Sequence, residues 1–250
     1  MRKVLIVLVL IGLVLVVLGY GWPGWWRTRP PEPAPESPAA DAPRVRAETL
    51  SSAVESLKSG DAARGVAALE EICKGQKDEP VQARAARELA DYRLSQGEEY
   101  EGYLKLSLAI RLWQGEGREA LVQQAAPLAK KYLLSPDPTP NSVVHIVEPR
   151  DVIGKIAQQK KSSVGLILMA NHLTHDRIHK GQALKVPLGP VALTVDKSDH
   201  RLTVFAAGCY LKDYRVGLGA HDQTPVAGFT IVTKIENPPW HKPQDLVLLP

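Results

Sequence analysis

The sequence predicts a multidomain α+β protein: an N-terminal membrane helix, an α-helical region, a compact β-α-α-β unit and a partial all-β sheet. Three observations predict it. An unbroken apolar run opens the chain, two proline-rich stretches divide it, and the hydrophobic period changes along it from helical to two.

Composition bounds the function. The 250 residues carry a net charge of +4, mild basicity that suits an anionic cell envelope and is too weak to imply nucleic acid. The two cysteines, Cys73 and Cys209, fall in regions that read as different domains, so neither a disulfide framework nor a Cys-x-x-Cys metal site is expected.

The anchor comes first, over residues 1–26. Arg2 and Lys3 precede an uncharged run from Val4 to Tyr20, at the short end for a spanning helix. Trp22, Trp25 and Trp26 follow at the place of an interfacial aromatic belt. The charges before the run favour a cytoplasmic N-terminus, which predicts a single-pass protein of the bacterial inner membrane with its bulk in the periplasm. A cleaved signal peptide is the alternative, although no small-x-small site precedes the tryptophans.

Residues 27–46 alternate Pro30, Pro31, Pro33, Pro35, Pro38 and Pro43 with Ala and Glu, the composition of a semi-rigid polyproline stalk.

Residues 47–134 turn helical. Leu50, Val54 and Leu57 share a face, as do Val66, Leu69, Ile72 and Cys73. Leu104, Leu108 and Leu112 recur at four, and Leu121, Ala125, Leu128, Ala129 and Tyr132 form another stripe. Breaks at Ser59-Gly60-Asp61, Gly75, Asp78-Glu79-Pro80, Gly97 and Gly115 cut this into about five short helices. Gly60-Asp61 followed by Gly65-Val66 and Ala68-Leu69 resembles a tetratricopeptide-type helix pair, with a looser echo from Gly97 to Leu108. The region reads as a helical spacer or as a docking surface for a protein partner.

Residues 135–141, with Pro136, Pro138 and Pro140, form a second linker. Residues 142–187 then read as strand, turn, helix, helix, polar loop and strand. The first helix carries Val152, Ile153, Ile156 and Ala157 inward, and the second carries Leu166, Ile167 and Ala170. A unit this small needs tight packing to be stable.

This stretch resembles the LysM family along its length. The resemblance rests on Asp151, Ile156-Ala157, Asn171-His172-Leu173, Ile178, Gly181-Gln182-Ala183-Leu184 and Val186-Pro187. Arg150 departs from it, standing where the family has a turn glycine; a turn requiring φ > 0 strains an arginine. The resemblance implies binding to the N-acetylglucosamine-containing glycan strands of peptidoglycan. It carries over a groove with Asp151 and Val152 on one side and Asn171, His172, Leu173 and Ile178 on the other. For several of these residues a structural role competes: Leu173 and Ile178 can close the core, and Asn171 can cap the second helix. His172, His175 and His179 lack fixed ligand partners, so neither a metal nor a cofactor is expected.

Residues 188–250 change to period two: Val191, Leu193 and Val195, then Leu202 and Val204, then Tyr214, Val216 and Leu218, then Phe229 and Ile231. Asp196 to His200 and Ala207-Gly208 are turns. The stretch resembles the start of the L,D-transpeptidase catalytic domain through Val195-Asp196-Lys197-Ser198, Arg201-Leu202, Val204, Val216-Gly217, Gly219, Thr224-Pro225, Phe229, Ile231 and Asn237-Pro238-Pro239-Trp240. In that family a cysteine thiolate attacks a peptide carbonyl beside a histidine, within His-Gly and Ser-x-Gly-Cys-x-Arg motifs. Neither motif occurs here, so no residue is assigned a catalytic role, and the resemblance implies a truncated or frameshifted transpeptidase. Cys209, at a hairpin, does not replace the missing nucleophile. Two functions follow: a cell-wall cross-linking family member, catalytically incomplete, or a non-catalytic LysM anchor or scaffold.

Overall fold

The computed structural model describes residues 42–75, 79–219 and 225–231; the predicted anchor lies outside them. Among the described residues no helix is long and apolar enough to cross a membrane. The chain divides into two compact units, Met1–Ala85 and Ala86–Pro250.

In the first unit, α1 (Ala42–Lys58) and α2 (Ala62–Lys74) form a hairpin, and α3 (Glu79–Ser95) begins. Helix α1 starts inside the predicted stalk, because Pro43 in its first turn gives up only an N–H that has no helical acceptor. Gly60, at φ 97°, turns the chain out of α1, and the Asp61 carboxylate caps α2 by accepting from the Arg64 N–H. Gly65 lets the two backbones touch: a Cβ there would lie 2.8 Å from the Leu57 nitrogen and 2.9 Å from the Ala53 oxygen. Leu69, one turn further, is fully buried.

The second unit repeats this local design. Gly97 stands 37 residues after Gly60 (97 − 60) and is also left-handed, at φ 77°. Gly102 corresponds to Gly65, and a Cβ there would lie 2.7 Å from the Leu94 Cγ, just as Gly65 meets Leu57. Leu106 corresponds to Leu69 and is likewise fully buried. Helix α4 (Glu99–Leu112) and helix α5 (Arg118–Tyr132) complete the helical part. The predicted Leu104, Leu108 and Leu112 stripe is only half-buried; α4 buries Tyr103, Leu106, Ser107 and Ile110 instead. Leucine spacing pointed to the wrong face because the tyrosine and serine of the true face serve β5.

Two antiparallel sheets follow. Strand β1 (Ser142–Ile146) pairs with β2 (Ala183–Pro187), with Ser142 opposite Pro187 and Ile146 opposite Ala183. Between them lie α6 (Ile153–Gln159) and α7 (Val164–Ala170). Val147, Ile153, Ile156, Ala157, Ile167, Leu184 and Val186 form one core, with Leu173 and Ile178 packed against its edge. This is the predicted β-α-α-β unit with one correction: Val152 does not point inward but is 50% exposed, because it is the residue before α6 in extended conformation.

Strands β3 (Val191–Asp196), β4 (Arg201–Ala206) and β5 (Cys209–Arg215) form the second sheet in that order. The Asp196 carboxylate accepts from the Ser198 and Asp199 N–H groups in the first turn. Ala207 and Gly208, at φ 53° and 80°, make the second. The predicted strand around Val216 does not extend past Arg215, and residues 225–231 are not a strand; Phe229 is 74% exposed.

Helices α4 and α5 cover one face of this sheet. The Tyr103 hydroxyl donates to the Tyr210 carbonyl, and the Tyr210 N–H donates 2.8 Å to the Ser107 hydroxyl. Arg118 donates from Nη1 to Asp213 Oδ2 at 2.6 Å, from Nη2 to the Thr203 hydroxyl at 2.9 Å, and from Nε to the Ile110 carbonyl. Burial pushes the Asp213 carboxyl up, but the Arg118 guanidinium, the Thr203 hydroxyl and Arg201 hold it below the ordinary aspartate range.

Candidate functional site

The turn after β1 sets one side of the candidate site. The Val147 N–H donates 2.9 Å to the Gln182 carbonyl, and the Gly181 N–H donates 2.8 Å to the Val147 carbonyl. These two bonds lay the loop before β2 alongside the turn. Asp151 closes the turn on itself: its Oδ2 accepts from the Glu148 N–H at 2.9 Å and lies 2.8 Å from His145 Nε2. The Glu148 N–H, then the His145 ring, hold the Asp151 carboxyl below its ordinary value. Asp151 is therefore ionised at neutral pH, and its Oδ1 has no partner among the described residues.

Arg150 adopts φ 75°, the left-handed conformation that its place in the turn demands. An L residue with a Cβ pays about 1 kcal/mol there that glycine does not. Val152 follows, with its side chain half exposed to solvent.

The other predicted residues divide. Leu173 and Ile178 pack against the same core as Ile153. Asn171 is spent on the fold. Its Nδ2 donates 2.7 Å to the Ile167 carbonyl and 2.7 Å to the Lys185 carbonyl, and its Oδ1 accepts from the Lys185 N–H at 2.8 Å. It thus ends α7 and splices it to β2. His172, at φ 54°, lies with Nε2 3.0 Å from the Leu134 carbonyl, engaged with the end of the helical part.

Sequence reasoning missed Lys185. Its ammonium is buried and donates 2.9 Å to the carbonyl of Tyr132, the last residue of α5, where helix carbonyls lack helical donors, and 2.9 Å to the Ser135 carbonyl just beyond. Burial lowers its pKa. The only signal in the sequence was a lysine between two core residues, Leu184 and Val186, which period two reads as an outward side chain.

Cys209 opens β5 and is fully buried. Burial pushes its thiol up to about 12, against the opposing pull of the Tyr100 hydroxyl and Arg111. At neutral pH it is a protonated thiol, the opposite of an activated nucleophile. Neither cysteine forms a disulfide among the described residues, and these hold no group of three or more His, Cys, Asp or Glu placed for a metal.

Two family models match the chain. The LysM domain matches residues 145–187, and the L,D-transpeptidase catalytic domain matches residues 190–248. No curated protein and no solved structure matches it. A β-α-α-β unit with its turn, helices and closing strand in the matched register, followed at once by a sheet that begins the second match, gives the two regions their identity: the chain carries a LysM domain followed by a stretch of L,D-transpeptidase catalytic domain.

Proposed function

We propose that the protein is a peptidoglycan-binding component of the bacterial cell envelope, held at the inner membrane by its N-terminal apolar segment with its bulk in the periplasm. The observation that carries this reading is the open Asp151–Val152 turn on a LysM-matched core. Val152 offers an apolar surface to a sugar face, and Asp151 Oδ1 offers an ionised acceptor to a sugar hydroxyl or amide. Leu173 and Ile178 pack against the same core, and in this reading they supply the opposing wall. Asn171 and His172 contribute by shaping that wall, since their polar atoms are already bonded within the protein. The two glycine-joined helix pairs are tetratricopeptide-like in this reading; α4 of the second supports the sheet, and the first serves as spacer or docking surface.

The test uses the full chain in detergent, sedimented with purified sacculi. Binding of about 10⁻⁴ M is expected for one LysM unit, and Val152→Asp should weaken it about tenfold, the cost of placing a second carboxylate against the sugar. A chain that does not sediment sinks the proposal.

Of the two family functions, anchor or scaffold is favoured over cross-linking for these 250 residues, on the burial of Cys209. A cross-linking assay with a tetrapeptide-stem donor should show no turnover. Turnover that disappears in Cys209→Ala would make that thiol the nucleophile.

A further inference from the structure

The chain's positive charge is not spread along it. Residues 142–187 contain seven lysines and arginines against three acidic residues, a net +4 that equals the charge of the entire chain, so the remaining residues balance to zero. One of the seven, Lys185, is buried and used internally. The other six, Arg150, Lys155, Lys160, Lys161, Arg177 and Lys180, are all exposed. None forms an ion pair within hydrogen-bond reach among the described residues, whereas Arg118, Arg201 and Lys131 elsewhere are paired.

Their placement follows the candidate groove. Arg150 immediately precedes Asp151 and Val152, and Lys155 lies one turn into α6. Arg177 immediately precedes Ile178, and Lys180 follows it by two. The Gly181-to-Val147 and Val147-to-Gln182 hydrogen bonds hold these two segments side by side. Arg150 and Lys180 therefore stand on adjoining segments at the groove's edge. Arg150 holds its place in a left-handed turn where glycine would be unstrained.

We infer that this LysM unit recognises the wall glycan as a polyanion. The carboxylates of peptidoglycan, on its lactyl-linked stem peptides, are drawn to a cationic rim formed by Arg150 and Lys155 on one side and Arg177 and Lys180 on the other. The inference rests on the glycan-binding reading above and adds a specificity to it: a neutral N-acetylglucosamine polymer fills the groove but leaves the rim empty. Like other rim charges, these groups act through long-range attraction that salt screens.

The experiment compares three solids: sacculi freed of phosphate-bearing polymers, the same sacculi with their carboxylates amidated by carbodiimide and an amine, and insoluble chitin. The full-length chain in detergent is sedimented with each from low to high sodium chloride. Binding to untreated sacculi should fall about tenfold between 50 and 300 mM salt, a range over which the Debye length roughly halves. Amidation should lower it about as much at low salt, and chitin binding should change less than twofold. Arg150→Gly and Lys180→Glu should each lower binding to untreated sacculi several-fold, and the glycine variant should be no less stable than the parent, which separates lost charge from lost fold. Lys130→Glu, the same charge change on α5, should alter nothing. Binding that is indifferent to salt and amidation, or variants that lose sacculi and chitin equally, overturns the inference and leaves the glycan reading intact. Failure to bind any of the three solids overturns both.

Discussion

The LysM unit and the three-stranded sheet are neighbours in sequence and opposite in construction. The first closes on itself: β1, α6, α7 and β2 point Val147, Ile153, Ile156, Ala157, Ile167, Leu184 and Val186 at one another. The second does not. One face of the sheet is closed by α4 and α5, through Tyr103, Ser107 and Arg118, and the other carries Val191, Leu193 and Val195 at 42%, 43% and 45% exposure. A hydrophobic pattern of period two specifies a strand and its two faces, but not what will cover each face. In the LysM unit the cover is local in sequence; in the sheet it comes from helices about a hundred residues earlier.

The sharpest way to break the comparison is Arg118→Met. It removes the guanidinium that serves Thr203, Asp213 and the Ile110 carbonyl together, and leaves a part-buried carboxylate with Arg201, at 3.2 Å, as its remaining cationic partner. Breaking such a pair costs about 3 kcal/mol. Amide hydrogen exchange should show protection lost across β4 and β5 while Ile156, Ala157 and Leu184 keep theirs. Equal loss in both regions would mean that the LysM core depends on the sheet.

Asn171→Ala is the converse and somewhat smaller. It strands the Lys185 N–H and the Lys185 carbonyl, while the Ile167 carbonyl keeps the Asn171 backbone N–H, at a cost of about 2 kcal/mol. Protection should fall in α7 and β2 and persist in β4 and β5. Any loss of glycan binding in this variant should track unfolding and be recovered at lower temperature, unlike the loss in Val152→Asp.

What the sequence disclosed follows the same division. The β-α-α-β order and its core were legible because each apolar residue meets partners within the same short stretch, where periodicity carries the information. The positive φ of Arg150 was legible too, as an arginine in a glycine's place. Val152 was misplaced because a helix stripe was extended one residue past the helix start. The second roles of Tyr103, Ser107, Arg118 and Lys185 were not legible. Each is decided by a partner far along the chain, and a polar residue in a helix or strand reads by default as facing water. Of the candidate site residues, the exposure of Val152 and the turn-closing bonds of Asp151 are local features, whereas the hydrogen-bonding capacity of Asn171 is consumed by a partner strand that its own segment does not reveal.

The smallest effect is expected on the uncovered face of the sheet. Leu193→Thr should change stability by less than about 0.5 kcal/mol, because the side chain is already half in water. Calorimetry of the purified chain checks it. A loss above 1 kcal/mol would show that something covers β3, and the asymmetry between the two regions would narrow.

The joint between the two regions has a mechanical consequence. Gly189, at φ 105°, brings the chain so close to the next turn that a Cβ there would lie 3.0 Å from the Ala207 Cα, and the Lys185 ammonium donates to the Tyr132 carbonyl at the end of α5 and to the Ser135 carbonyl beyond it. Strand β2 is thus fastened twice, once covalently through a short corner and once through the charged hydrogen bonds of Lys185. Tension arriving from a wall polymer would be shared between these two load paths instead of stretching a tether, and a tug on the glycan would be felt as torque on the sheet.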